Sequence, residues 1–209
     1  YSLMSVIDYV DEILVWDTGS TDKTVEIIKS IQNPKIKFRE VLVNNSSDIT
    51  KYRNEMLHNT EADWLMILDG DEIWPDDAIK KTINTIKASG NKYEFLISRY
   101  KDLIGDIYHY QEEKAGRYKI DEHIGHLTIR AMKKSIRGLH FGKPHGQQGI
   151  FDDHNVLIQD RNKMKRLFIN ERLYMHFTHT IRSRTLEEDL KVIKRKIKMK
   201  YELGIPFSP

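Results

Sequence analysis

The chain has no cysteine among its 209 residues. That excludes disulfides, thiolate metal sites and a cysteine nucleophile, and it fits a reducing compartment. No run of eighteen apolar residues occurs, so no helix reads as membrane-spanning, and no secretory leader is visible. Net charge is also small. The 34 Lys and Arg residues against 31 Asp and Glu leave +3, which makes no case for nucleic acid. What is present is a soluble balance, 39% hydrophobic and 31% charged, sized for one α/β domain. No internal repeat or low-complexity segment is visible.

The charge that exists is unevenly spread, acidic near 61–77 and basic near 161–200. A local positive field suits a phosphate-bearing ligand or an anionic membrane surface. Tyr1 to Ile7 reads as the end of a helix already under way, and Gly204 to Pro209 has linker character. The expectation is a fragment of a longer protein, located in the cytoplasm, with peripheral membrane contact through a basic helix near its end.

Short apolar runs ending in turn residues mark buried parallel strands. Glu12 to Trp16 runs into Asp17-Thr18-Gly19-Ser20, and Trp64 to Leu68 runs into Asp69-Gly70-Asp71-Glu72. Ser20 or Thr21 is placed to cap a helix with Val25, Ile28 and Ile31 on one face, stopped by Pro34. Residues 36–43 alternate as a strand, and 48–59 read as a helix. Pro75 opens a helix with Ile79, Ile83 and Ile86 on one face, and Gly90 ends it. Further strands are expected at 93–98, 127–132 and 166–177. Residues 100–123 and 138–160 lack a clean period and read as long loops over a site. Thr185 to Glu188 forms a capping box. The helix behind it would carry Leu186, Leu190, Ile193 and Ile197 on one side and Lys191, Lys194, Arg195 and Lys198 on the other. That basic face suits solvent, anionic lipid or glycan. Alternating strands and helices in the first half argue for a mainly parallel sheet, whose ligands bind beyond the carboxyl ends of the strands. Asp17 and Asp69 both fall at such ends.

Asp69 and Asp71 are two apart after an apolar strand, so extended backbone points them the same way. Two adjacent carboxylates repel. A hard divalent cation resolves the conflict, and oxygen ligands suit Mg2+ or Mn2+ holding a substrate phosphate. Gly70 leaves room for a ligand to approach the backbone. By itself, Asp-x-Asp is also an ordinary acidic turn.

Three segments sharpen this reading. Val10 to Thr24, including Asp17-Thr18-Gly19-Ser20-Thr21-Asp22, closely resembles the opening signature of family 2 glycosyltransferases, especially the bacterial lipopolysaccharide-core type. Tyr52-Arg53-Asn54 resembles that family's Arg-Asn pair, and Ala62 to Glu72 resembles its Asp-x-Asp strand. Their order and spacing are the family's over about residues 5–77. The resemblance implies an α/β GT-A-like fold: a mainly parallel sheet flanked by helices, with a loop-rich acceptor half. Residues 1–209 then form one catalytic domain, with 1–98 as the nucleotide-sugar half, 99–182 as the acceptor side and 183–209 as C-terminal helix and linker. It implies a nucleoside diphosphate sugar donor, contacted through Asp17, Thr18, Arg53, Asp69 and Gly70, and a metal held by Asp71 with help from Asp69. Carboxylates can accept from ribose hydroxyls or base N–H groups, and guanidinium suits phosphate. The family's usual first strand would precede Tyr1.

In the second half, Tyr174-Met175-His176-Phe177-Thr178-His179 resembles a late His-aromatic element of the family, which makes His176 the third metal candidate and His179 the second choice. An inverting transfer needs a carboxylate to accept the acceptor hydroxyl proton. Asp153 is preferred, with Asp152, Asp121 and Glu122 as alternatives. Trp74 and Tyr100 could stack on a sugar or pack in the core. The reading is a metal-dependent glycosyltransferase that uses a nucleoside diphosphate sugar, UDP-linked in preference, and a glycan hydroxyl, with inversion. The rival is a non-catalytic nucleotide- or glycan-binding module on the same scaffold.

Overall fold

The computed structural model describes residues 1–104, 106–144, 147–179 and 205–206. In chain order the strands and α-helices are β1 (Ile13–Asp17), α1 (Thr24–Ser30), β2 (Ile36–Glu40), α2 (Ser46–Asn59), β3 (Trp64–Met66), β4 (Glu72–Ile73), α3 (Asp76–Ser89), β5 (Phe95–Ile104), β6 (His109–Tyr110), β7 (Tyr118–Ile120), β8 (His123–Gly125), β9 (Leu127–Lys133), β10 (His140–Gly142), β11 (Gly149–Phe151), β12 (Arg166–His179) and β13 (Ile205–Pro206).

The α/β class holds, but the sheet is not mainly parallel. β1 pairs with β2 in parallel as a separate ribbon, and β5 pairs with β12 in parallel. Around β5 and β12 the other partners run antiparallel: β9 and β6 on β5, β3 on β9, β4 on β12 and β13 on β6. Strand–helix alternation along a chain does not say which strands become neighbours. Here β3 takes its partner from the second half of the sequence. The segments expected to be long loops also carry ladders. β5 continues to Ile104, β7 and β8 form a hairpin, and β10 and β11 form another.

Central strand β5 is buried on both faces, as its apolar content requires. Leu96 and Tyr100 face a cluster with Trp74, Ala78, Ile79, Leu173 and Tyr174, which helix α3 closes with Ile83 and Ile86. Phe95 and Ile97 face Ile120, Leu127, Met132 and Ile158. Each such full burial is worth roughly 1.5–3 kcal/mol.

Helix boundaries follow side-chain chemistry. α1 starts after Lys23 rather than at Ser20 or Thr21, and Asp22 accepts from the Thr24 N–H at 2.9 Å. α2 starts two residues earlier than expected because Asn45 and Asp48 form a reciprocal capping box. Gly90 ends α3 at φ 51°, a conformation glycine adopts without strain.

Two irregularities matter for the site. Leu96 pairs with Ala131 while Ile97 pairs with Ile129, so Arg130 is an extra residue in β9. On β12, five steps from Ile169 to Tyr174 answer two on β5, from Ser98 to Tyr100, leaving three extra residues. Among the described residues no helix is long and apolar enough to cross a membrane. The expected basic helix with Lys191, Lys194, Arg195 and Lys198 lies outside the described residues.

Candidate active site

The Asp69-Gly70-Asp71 turn connects β3 to β4 and is pinned on three sides. The Glu72 N–H donates to the Asp69 carbonyl at 3.1 Å, the Phe177 N–H to the Asp71 carbonyl at 2.8 Å, and Ser2 Oγ to the Asp69 carbonyl at 3.1 Å. β4 lies antiparallel to the end of β12, with Glu72 opposite His176. A sequence-distant histidine is thereby carried to the acidic turn.

His176 Nε2 lies 3.3 Å from Asp71 Oδ2, and its Nδ1 lies 2.8 Å from Thr178 Oγ1 and 3.9 Å from Asp102 Oδ1. The ring sits edge-on to Tyr100 at 5.5 Å. Burial holds its pKa below the ordinary 6.5 against the pull of Glu72 and Asp102, so the imidazole stays neutral and keeps a lone pair.

Asp69 turns to cations instead. Arg53 Nη2 from α2 donates to Oδ1 at 2.9 Å, and Arg130 Nη2 from β9 donates to Oδ2 at 3.0 Å. Burial works against the charge on Asp69, but Arg130 and Arg53 outweigh it and hold the carboxyl below its ordinary value. Arg130 also pairs closely with Glu72 and donates through Nε to Tyr174 Oη at 3.2 Å. Glu72 is fully buried. Burial first, and the neighbouring Asp69 charge second, push it up to about 7 despite Arg130. Sequence reading missed Arg130, Glu72 and Tyr174 as members of this network. Strict alternation along β9 gives no sign of Arg130. The extra residue at that point turns its side chain toward Tyr174, as bulges beside functional sites do.

The remaining candidates divide by position. Arg53, Asp69, Gly70, Asp71 and His176 are brought together. Gly70 is exposed, and a Cβ there would meet open space. Asp17 is buried at the end of β1 and accepts from the Gly19 and Ser20 N–H groups at 2.8 Å and from Ser20 Oγ at 2.5 Å. It therefore shapes its own turn, and Thr18 beside it is exposed. Trp74 and Tyr100 are core residues, Trp74 stacking on Tyr174 at 4.9 Å.

Asp121, Asp152 and Asp153 take ion-pair partners outside this cluster. Asp121 pairs with Lys163 at 2.8 Å and closely with Arg166, which lies opposite Phe95 at the start of β5. Asp152 accepts from the His154 and Val156 N–H groups and pairs with Arg161, which also reaches Glu94. Asp153 pairs with Arg137 at 2.8 Å and bonds to that residue's carbonyl. His176 lies opposite Asp102 at the other end of β5. At ~3.3 Å per residue the two ends are roughly 23 Å apart. Each of the three acids expected near a reacting hydroxyl is thus faced by arginine or lysine. Glu122 is exposed in the same corner, and His179 pairs with Ile104 at the end of β12.

The family model for glycosyl transferase family 2 matches residues 1–154. The chain belongs to glycosyl transferase family 2. No curated protein sequence matches it. Among solved structures, S. aureus TarS 1–349 is similar at TM-score 0.52 and 16% identity, covering 80% of this chain and 51% of that one. The same fragment in complex with UDP gives 0.53 at 15% identity, covering 81% and 53%. In complex with UDP-GlcNAc it gives 0.51 at 14%, covering 79% and 49%. These likenesses establish a shared fold, and this family 2 chain spans about half the length of the structures it matches.

Proposed function

We propose that the chain carries the donor-binding site of a metal-dependent glycosyltransferase that moves a sugar from a nucleoside diphosphate sugar, UDP-linked in preference, to a glycan hydroxyl with inversion. The observation that carries this reading is the Asp71–His176 pair beside the arginine-held Asp69, in a family 2 chain. The UDP and UDP-GlcNAc complexes of a structural neighbour support the choice of donor.

A metal fits the donor set in part. Two ligands of one octahedral ion at ~2.1 Å stand about 3.0 Å apart. Asp71 Oδ2 and neutral His176 Nε2 are 3.3 Å apart. Among the described residues no three acids or histidines converge as a ready-made cage, because both Asp69 oxygens face guanidinium groups. Asp71 and His176 would therefore hold Mn2+ or Mg2+ from one side, leaving positions for water and phosphate oxygens. When bound, such an ion neutralises charge on a leaving diphosphate.

The chain's own residues do the rest. Arg53 and Arg130 keep Asp69 ionised and fixed, ready to accept from a ribose hydroxyl or an ordered water. Asp102 and Thr178 orient the His176 ring, Thr178 Oγ1 lying 2.8 Å from Nδ1 and 3.1 Å from Nε2. Residues 1–98 would form the donor half and 99–182 the acceptor side of one catalytic domain. The test is transfer or hydrolysis with a panel of nucleotide sugars, with and without manganese. Asp71→Asn should lower turnover by roughly 100-fold or more. Unchanged activity in that variant rejects the metal assignment, and UDP binding without turnover, insensitive to a chelator, favours a non-catalytic module.

A further inference from the structure

We infer that Asn54 is a positioning residue for the donor site: it latches the β10–β11 hairpin to α2 and, through the hairpin's Phe141, sets Arg53 against Asp69. The inference rests on the donor-site reading above and goes beyond it.

Hairpin β10–β11 is a two-stranded ladder outside the main sheet. Such a ladder is marginal without support. Ile150 packs against the Ile97 cluster, and on the other side the hairpin is held by a row of polar side chains on one face of α2. Asn54 Nδ2 donates to the Phe141 carbonyl at 2.8 Å, and its Oδ1 accepts the Phe141 N–H at 2.7 Å. One amide therefore does for Phe141 what a neighbouring strand would do. One turn earlier, Thr50 Oγ1 donates to the Lys143 carbonyl at 2.6 Å, and Gln148 Nε2 donates to Thr50 Oγ1 at 3.1 Å.

Residues 50, 53 and 54 share a helix face, being three and four apart. Arg53 thus leaves α2 beside the latch. Its guanidinium lies over the Phe141 ring at 5.8 Å while bonding Asp69 at 2.9 Å. Arg130 needs no such aid, since β9 and Tyr174 hold it. Arg53 is the more exposed of the two, at 25% against 11%. It is the guanidinium an incoming diphosphate can recruit, and Phe141 is the surface that keeps it in range. Phe141 can serve only while its backbone is fixed.

The experiment is a double-mutant cycle on UDP binding with manganese, by calorimetry, with amide hydrogen exchange alongside. Asn54→Ala should weaken UDP binding about tenfold. Arg53→Ala should weaken it at least as much. The double variant should be no weaker than Arg53→Ala alone, because both act through one group. Exchange at the Phe141 amide should quicken in Asn54→Ala and not in Arg53→Ala. Asn54→Asp, which keeps only the acceptor for the Phe141 N–H, covers the case in which alanine unfolds the chain, and the same coupling rule applies. Independent, multiplying effects overturn the latch, as does unaltered UDP affinity or unaltered Phe141 exchange in the Asn54 variants. A wild-type chain that binds no UDP removes the donor site itself, and with it the purpose assigned to Asn54.

Discussion

Arg130 holds two carboxylates and a phenol at once, with its side chain 11% exposed. Buried charges of this kind need every partner, because removing one strands the others without water. Arg130→Met should therefore cost about 3–5 kcal/mol, read as a fall in the urea midpoint, even though methionine fills much of the space. A loss within the range of ordinary surface substitutions would show that Asp69 and Glu72 are not held by this arginine. In the sequence, contiguous motifs were the legible part of this network. Asp69, Asp71 and Arg53 stood out because strand ends and a helix face locate them. Arg130 and Glu72 did not, since their roles arise from one extra residue in β9 and from the pairing of β4 with β12.

At the level of elements, hairpin β10–β11 depends on a tight return. Gly138 has φ +64°, and a Cβ there would stand 2.5 Å from the Asp153 Cα and 2.6 Å from its nitrogen. Gly138→Ala should destabilise by roughly 1–3 kcal/mol, measured by thermal unfolding, since strain and a backbone clash act together. An unchanged Tm would mean that the return can shift freely. Strands β1, β3 and β5 and helix α3 were legible because apolar runs and periodic faces record burial directly. Segment 138–160 was not. Its strands are three residues long, too short to show a period, and polar bonds to Thr50 and Asn54 join scattered apolar contacts in docking it.

For the whole molecule, pH couples the site to stability. Folded Glu72 keeps its proton up to about 7, against an ordinary 4.5. Its contribution is complete below the ordinary value and is lost as pH rises through 7. His176 acts oppositely, because its folded pKa is depressed below 6.5 and falling pH charges the unfolded chain first. The two oppose each other near and below 6.5, and by pH 8 His176 is neutral in both the folded and the unfolded chain. Between pH 6.5 and 8 the metal-free wild type should lose on the order of 1 kcal/mol relative to Glu72→Gln, roughly 2–4 °C in Tm. Parallel Tm curves for the two proteins across that range would refute the raised pKa. The α/β class was legible at this scale, while the strand order was not. Pairing between β3 and β9 joins segments whose proximity no local pattern encodes.

The three extra residues in β12 make the site a question of parity. A strand shows its side chains alternately to two faces, so an odd surplus exchanges the faces beyond it. Ile169 and Tyr174, odd and even in number, consequently share one side of the sheet, and His176 follows Tyr174. Upstream pairing with β5 and downstream pairing with β4 each fix one end of that count. Within residues 170–173 the gene can thus gain or lose codons in twos and keep the histidine on its face. A single codon forces one of the two ladders to give up its register, or the imidazole to turn away from Asp71.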